Sequence, residues 1–185
     1  MARVLSFRDR MPEDPVGIPH ESILSRRSIA VSGGALCAAC LLPWPVRAAE
    51  VDALAFSCID FRLVSEAVKF FDTDIRPKDY DLLALAGASL GAVSPKFPSS
   101  NAAFWNHVEI AKSLHHIKKV VVLDHRDCGA YKVAFGKEFA AEHNAETAQH
   151  KSMMLQLKGA LAQKHPELAS EFYLMALGGT AEKIL

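Results

Sequence analysis

The stretch V-V-V-L-D-H-R-D-C-G-A-Y-K, from Val120 to Lys132, decides the fold and points to its chemistry. Three valines and a leucine are typical of a strand that is buried on both faces of a parallel sheet. They run directly into His125 and Cys128. Because binding sites in such sheets form beyond the carboxyl ends of strands, the stretch predicts a buried strand that leads into a functional site.

The rest of the chain alternates between strand and helix patterns. The predicted strands are Ala53–Ser57, Asp79–Ala86, Val120–Leu123 and Phe172–Leu177. The predicted helices are Val64–Phe71, Asn101–His116 and Glu146–Gln163, and the first of them is predicted to bury one face formed by Val64, Ala67, Val68 and Phe71. This alternation predicts an α/β fold with a mostly parallel central sheet of about four strands, flanked by helices.

A second cysteine, Cys58, follows the first predicted strand and opens the motif C-I-D-F-R. If the first and third strands are neighbours, Cys58 lies beside His125 and Cys128 where the winding direction of the sheet reverses. Two thiolates and one imidazole form a ligand set that zinc readily takes. Three protein ligands with one open position are typical of catalytic zinc sites. The sequence therefore predicts a Zn²⁺ site on these three residues.

Asp60 and Arg62 form a second functional pair. They are two residues apart, so in an extended segment their side chains point to the same side. An arginine can hold a carboxylate through two parallel hydrogen bonds. Asp60 is then predicted to accept a hydrogen bond from an attacking hydroxide, or to bind zinc itself as a fourth ligand. Taken alone, the pair could be a surface ion pair, and Cys58 and Cys128 could be a disulfide or small core residues.

Residues 1–48 differ in character from the rest of the chain. Arg26 and Arg27 precede a moderately apolar run, V-S-G-G-A-L-C-A-A-C-L-L, which is too short to span a bilayer. Val46-Arg47-Ala48 then offers small residues at the expected positions of a cleavage site. The arginine pair is typical of twin-arginine export signals. The sequence predicts an export signal over residues 1–48, cleaved after Ala48, and a periplasmic zinc domain over residues 49–185 with no stable membrane span after processing.

Composition narrows the class of protein. The 185 residues are about one domain's worth, and a hydrophobic content of 50% with a charged content of 23% is ordinary for a globular protein. The formal net charge is zero, so nothing favours a nucleic-acid partner.

The two motifs resemble the hallmark pair of the β-class carbonic anhydrases, C-x-D-x-R with H-x-x-C. The resemblance rests on S-C-I-D-F-R at 57–62 and L-D-H-R-D-C-G-A-Y-K at 123–132, and it covers about Ala53 to Lys132. It implies reversible hydration of CO2 to bicarbonate and a proton, in a homodimer or higher homo-oligomer. It also implies the zinc ligands and the catalytic dyad, which are Cys58, His125, Cys128, Asp60 and Arg62.

Two departures from the family pattern bear on the substrate. Family members commonly carry an R-N-A-G-N-like segment where this chain has Ala84–Ala88, and glycine usually stands where this chain has Asp124. The pocket for CO2 is expected to include Phe61, Gly87, Ala88 and Ser89. Two alternatives remain open, namely a COS or CS2 hydrolase on the same zinc site and a zinc-binding protein without turnover.

Overall fold

The computed structural model describes residues 50–136 and 142–185, and the predicted export signal over residues 1–48 lies outside them. Within the described ranges there are five strands, β1 (Ala53–Ser57), β2 (Tyr80–Ala84), β3 (Lys119–His125), β4 (Ala169–Met175) and β5 (Ala181–Lys183). They form one sheet in the order β2-β1-β3-β4-β5. The pairs among β1 to β4 are parallel, and β5 is antiparallel to β4. This confirms the predicted α/β fold, and adds β5 to the four predicted strands.

In the part of the chain that the structure describes, five helices connect the strands. They are α1 (Val64–Asp74), α2 (Ser89–Val93), α3 (Pro98–His115), α4 (Gly129–Phe135) and α5 (His143–Lys164). A 3-10 turn over Phe61–Leu63 leads into α1. The proline that opens α3 suits the first turn of a helix, because proline lacks an N–H and no intrahelical bond is lost there. Among the described residues, every helix is too short or too polar to cross a lipid bilayer.

Each face of the sheet carries its own apolar cluster. On one face the strands pack against helices α2, α3 and α5 through Leu54, Phe56, Leu83, Ala92, Phe104, Val108, Val120, Val122, Met154, Leu157, Leu161, Phe172 and Leu174. On the opposite face, α1 covers a smaller cluster that includes Ala55, Phe71, Val121, Leu123 and Met175. Because successive strand residues point to opposite faces, β3 is buried on both sides and reads as an uninterrupted apolar run.

The buried face of α1 differs from the predicted one. Val64 is 56% exposed and Val68 is 37% exposed, so these two residues do not belong to the core. The buried stripe consists of Leu63, Ala67, Phe71 and Ile75. These residues are spaced by four, which places them on one side of the helix. The two valines occupy the neighbouring stripe, which the sheet does not cover.

The order of the strands brings the two sequence motifs together. β1 pairs with β2 on one side and with β3 on the other, so the chain reverses its winding direction between β1 and β3. Ser57, the last residue of β1, is aligned with Leu123 of β3. The predicted neighbourhood of the first and third strands is therefore confirmed, and their carboxyl ends meet at the switch point.

Candidate metal centre

Three ligand-bearing residues converge at the carboxyl ends of β1 and β3. Cys58 follows β1 directly, His125 is the last residue of β3, and Cys128 immediately precedes α4. One ligand atom from each residue lies within 4.8 Å of the other two, and the two sulfurs are 3.9 Å apart. A metal ion bonded to thiolates and imidazole needs such a cluster, since metal–ligand bonds are about 2.0–2.3 Å long.

The ring of His125 is oriented for coordination. Its Nδ1 lies 2.8 Å from the carbonyl oxygen of Arg126. Because a carbonyl only accepts hydrogen bonds, Nδ1 carries the proton, and in the neutral ring the lone pair is on Nε2. Nε2 is buried. Among the described residues, it is the one buried side-chain nitrogen or oxygen atom that has no hydrogen-bond partner. A metal cation would complete its bonding, so this donor set fits a metal such as zinc.

The pKa values of the two cysteines are shifted in opposite directions, which favours a thiolate on one of them. The hydrogen bond between the two sulfurs lowers the pKa of Cys58, against the opposing effect of burial. The same hydrogen bond, together with burial, raises the pKa of Cys128. The backbone N–H of Gly87 also donates to the Cys58 sulfur at 3.3 Å. Binding of a divalent cation to both sulfurs would displace any proton that they hold.

Gly87 can make this contact because it lacks a side chain. Its φ of +77° lies in the left-handed region, which favours glycine. A Cβ at this position would also lie 3.0 Å from the Cβ of Ala130. Any other residue at Gly87 would therefore disturb the backbone that approaches the Cys58 sulfur.

Asp60 and Arg62 form the predicted pair beside the three ligands. Arg62 Nε and Nη2 donate to the two carboxylate oxygens of Asp60 at 3.0 and 2.9 Å. The nearer carboxylate oxygen lies 3.8 Å from Nε2 of His125. The hydrogen bond from the Arg62 side chain lowers the pKa of Asp60 to about 2. Asp60 is therefore an ionised carboxylate, held by Arg62 beside the cluster of Cys58, His125 and Cys128.

Replacing Arg62 by glutamine should raise the pKa of Asp60 from about 2 towards the ordinary value of about 4. Because the folded pKa is the lower one, the stability from this ion pair is present above about pH 4 and is lost as the pH falls towards 2. An NMR titration of the Asp60 carboxyl carbon measures the shift. Arg76→Gln, which removes an ion pair with Asp79 elsewhere, is the control. An Asp60 pKa that stays near 2 in Arg62→Gln would contradict this assignment.

Two further acidic residues hold this region, and sequence reasoning missed both. Asp127 accepts a hydrogen bond from Arg62 Nη1 at 2.8 Å, so Arg62 bridges two carboxylates. Asp127 has a φ of +56°, and its N–H donates to Oε1 of Glu146 at 2.5 Å. The buried Glu146 carboxylate also accepts from Arg126 at 3.1 Å. Asp127 lies inside the motif, but Glu146 is on α5, where no sequence signal marks it.

An apolar cavity of about 310 Å³ opens beside Cys58 and Cys128. It is lined by Cys58, Ile59, Asp60, Ala86, Phe97, Cys128, Gly129, Ala130 and Val133. The polar groups among these are the two sulfurs and the Asp60 carboxylate, and the rest of the lining is apolar. The cavity therefore suits a small apolar molecule.

The structure places the four residues predicted for a substrate pocket outside the described lining of this cavity. Phe61 is 85% exposed, because the 3-10 turn after Asp60 directs it to the surface. Ala88 and Ser89 are fully buried at the start of α2. Gly87 takes part through its backbone N–H alone. Their assignment to the substrate stays a prediction, and the observed cavity offers a different set of contacts.

Comparison with known proteins gives a family match. A family described as "Putative carbonic anhydrase" matches residues 48–160, a stretch that contains both motifs. An uncharacterized protein of Rickettsia conorii is 36% identical over 135 residues, which cover 73% of this chain and 73% of that protein. An uncharacterized protein of Rickettsia bellii is 35% identical over 135 residues, covering 73% of this chain and 82% of its own length.

Solved structures resemble the chain more distantly. A carbonic anhydrase from Streptococcus mutans has a TM-score of 0.49 at 14% identity, covering 74% of this chain and 83% of that one. One of two tetrameric β-carbonic anhydrases from Sordaria macrospora has a TM-score of 0.46 at 15% identity, covering 74% and 81%.

Proposed function

The chain belongs to the family described as "Putative carbonic anhydrase", and from this premise we propose that it catalyses the reversible hydration of CO2 to bicarbonate and a proton. The proposed cofactor is Zn²⁺, held by Cys58, His125 and Cys128. One observation carries the proposal: two sulfurs and a buried, unpartnered imidazole nitrogen, all from described residues, lie within 4.8 Å of one another. A zinc ion supplies Lewis acidity there, which makes water acidic enough to provide hydroxide near neutral pH.

Asp60 is proposed to orient the attacking oxygen. Its carboxylate stays ionised throughout the neutral range because Arg62 holds its pKa near 2. An ionised carboxylate can only accept hydrogen bonds, so it fixes the direction of an O–H group beside it. Both of its oxygens accept hydrogen bonds from Arg62, which supports this accepting role over that of a fourth metal ligand.

The cavity is proposed to hold CO2 next to this oxygen. Ile59, Ala86, Phe97 and Val133 give it apolar walls, and CO2 is small and apolar. Such walls bind bicarbonate poorly, since a charged product loses its hydration there. The cavity thus favours entry of the gas and departure of the anion.

The proposal is tested on zinc-loaded full-length protein by stopped-flow CO2 hydration and by sulfide release from COS. The expected result is a kcat/KM for CO2 of at least about 10⁴ M⁻¹s⁻¹, with slower release of sulfide. COS deserves the comparison because Ala86, from the segment that departs from the family pattern, lines the cavity. Faster sulfide release would favour the COS hydrolase, and full zinc occupancy without hydration would favour a binding protein without turnover.

We also propose that the protein is a homodimer or larger homo-oligomer, as the family resemblance implies. Large apolar side chains are exposed around the cavity mouth and the turn beside it. Ile59 is 60% exposed, Phe61 85%, Val64 56% and Val133 75%. Exposed apolar surface of this kind is typical of an interaction site. Light scattering coupled to size exclusion tests the proposal, and a monomeric mass at micromolar concentration would contradict it.

The proposed location is the periplasm, reached through the predicted signal over residues 1–48. Two observations support it, namely the pair Arg26–Arg27 and a family match that begins at residue 48. A route that exports folded protein would let zinc bind while the cytoplasm keeps Cys58 and Cys128 reduced. Cell fractionation after changing both arginines to lysine tests it, and undiminished export would contradict the twin-arginine route.

A further inference from the structure

A buried polar cluster lies next to the metal centre and takes no part in the proposed chemistry. It consists of Asp124, Ser89, Tyr131 and His150, each no more than 1% exposed. Asp124 is its centre, and we call the group the Asp124 cluster. One oxygen of this carboxylate accepts from the backbone N–H of Ser89 at 2.9 Å. The other accepts from the Ser89 hydroxyl at 2.5 Å, the Tyr131 hydroxyl at 2.8 Å and His150 Nδ1 at 2.8 Å.

The cluster joins four separate elements. Asp124 is on β3, Ser89 opens α2, Tyr131 is on α4 and His150 is on α5. The rings of Tyr131 and His150 also stack, with centroids 3.8 Å apart. A single carboxylate therefore fixes the mutual positions of one strand and three helices, through hydrogen bonds that depend strongly on distance and angle.

Each metal ligand is tied to this cluster by a short piece of backbone. His125 directly follows Asp124. Cys128 lies three residues before Tyr131, and its carbonyl accepts from the Tyr131 N–H at 3.1 Å. Cys58 receives its backbone hydrogen bond from Gly87, two residues before Ser89. Cys58, His125 and Cys128 are thus each connected to the Asp124 cluster through at most three residues of chain, in the case of Cys58 by way of its hydrogen bond from Gly87.

The Asp124 cluster stabilises the core less efficiently than apolar packing would. Burying a carboxylate and three polar partners costs desolvation free energy, and apolar residues of similar size commonly stabilise a protein as well or better. The benefit of such a network is a defined geometry. Asp124 and His125 are consecutive strand residues and point to opposite faces, so the carboxylate acts through the backbone.

We propose that Asp124 is a positioning residue for the metal centre, which sets the spacing of the Cys58, His125 and Cys128 ligand atoms through Ser89 and Tyr131. The proposal rests on the proposed function only in requiring that these three residues bind a metal. It predicts that the cluster controls metal affinity and coordination geometry, beyond any contribution to the stability of the fold.

Asp124→Asn and Tyr131→Phe test the proposal in the full-length protein. Asn keeps the size of Asp124 but lacks the charged carboxylate whose oxygens accept four hydrogen bonds. Phe removes only the hydroxyl of Tyr131. Zinc affinity, measured by competition with a chelator, should fall about 10- to 100-fold in Asp124→Asn and about tenfold in Tyr131→Phe. The thiolate-to-metal absorption of the Co²⁺-substituted variants should also shift, more in Asp124→Asn than in Tyr131→Phe.

Tyr173→Phe is the matched control. Its hydroxyl also donates to a carboxylate, that of Glu171 at 2.8 Å, and the residue is mostly buried on β4, outside the Asp124 cluster. Its zinc affinity and Co²⁺ spectrum should equal those of the wild type. Circular dichroism and thermal melts of all variants separate loss of folding from loss of metal geometry. If Asp124→Asn does not fold, Tyr131→Phe decides the test alone.

Wild-type zinc affinity and an unshifted Co²⁺ spectrum in folded Asp124→Asn and Tyr131→Phe would overturn the proposal. An equal loss in the control Tyr173→Phe would overturn it as well, since any buried hydroxyl would then have the same effect. A wild-type protein that binds neither Zn²⁺ nor Co²⁺ would instead overturn the metal centre itself. The two failures are therefore distinguishable.

Discussion

Replacing Cys128 by serine should remove the metal from the protein and abolish hydration of CO2. Serine has almost the same shape, but its hydroxyl does not ionise near neutral pH and is a poor ligand for zinc. Loss of a group that merely supports a ligand costs about 10- to 100-fold in metal affinity, so the loss of a thiolate ligand should cost more than about 100-fold. Two ligands would remain, and their affinity for zinc is too low to retain the ion on dilution.

The measurement is zinc content per chain after dialysis, together with stopped-flow CO2 hydration. Cys40→Ser is the control, because it removes a cysteine that lies outside the residues matched by the family. It should keep one zinc per chain and full activity. Cys58→Ser should behave as Cys128→Ser does. Retention of one tightly bound zinc in Cys128→Ser would show that the metal is held elsewhere.

The second large effect is expected for Asp60→Asn, which should lower kcat about 100- to 1,000-fold while zinc stays bound. Asparagine has the same size, but its amide nitrogen cannot accept a hydrogen bond, and it places N–H groups against those of Arg62. The orienting carboxylate is then lost although the three ligands are untouched. Zinc content and kcat measured on the same preparation separate the two functions.

Asp127→Asn is the matched control for Asp60→Asn. Asp127 also accepts a hydrogen bond from Arg62, at 2.8 Å, but its carboxylate is 46% exposed and does not line the cavity. A change in kcat of less than about tenfold is expected for it. Wild-type kcat in Asp60→Asn would contradict the role of the carboxylate. Equal losses in both variants would mean that the charge near Arg62 matters and its position does not.

The convergence of the two motifs was predictable from the sequence. Cysteine and histidine at strand ends are rare and chemically specific, so C-x-D-x-R and H-x-x-C predicted which residues would meet. Their meeting depended on β1 and β3 being neighbours, which follows from the usual winding of an α/β sheet. The structure places Cys58, His125 and Cys128 within reach of one another, as this reasoning required.

Features that depend on tertiary packing were not predictable. Helical periodicity allowed two adjacent stripes of α1 to be buried, and only contact with the sheet selects Ala67 and Phe71 over Val64 and Val68. β5 has three residues and only one apolar side chain, and it exists because β4 offers it an antiparallel edge. Short helices such as α2 and α4 span too few residues to show a period.

The supporting polar contacts were hidden for a different reason. Asp124 and Glu146 are charged residues at positions where sequence patterns suggest exposure, yet both are buried and hydrogen-bonded. Ser89, which donates to Asp124, lies 35 residues away along the chain, and Asp127, which donates to Glu146, lies 19 residues away. No local spacing rule relates such residues, because their contact arises only when helices and strands have packed.

We propose that Cys58, His125 and Cys128 bind a single zinc ion, and X-ray absorption at the zinc edge of the purified protein tests this binding most directly. The expected result is one zinc per chain, with two sulfur neighbours at about 2.3 Å and one imidazole nitrogen at about 2.0–2.1 Å. A zinc shell made of nitrogen and oxygen alone, or a Cys58–Cys128 disulfide in freshly purified protein that holds no zinc, would contradict the claim.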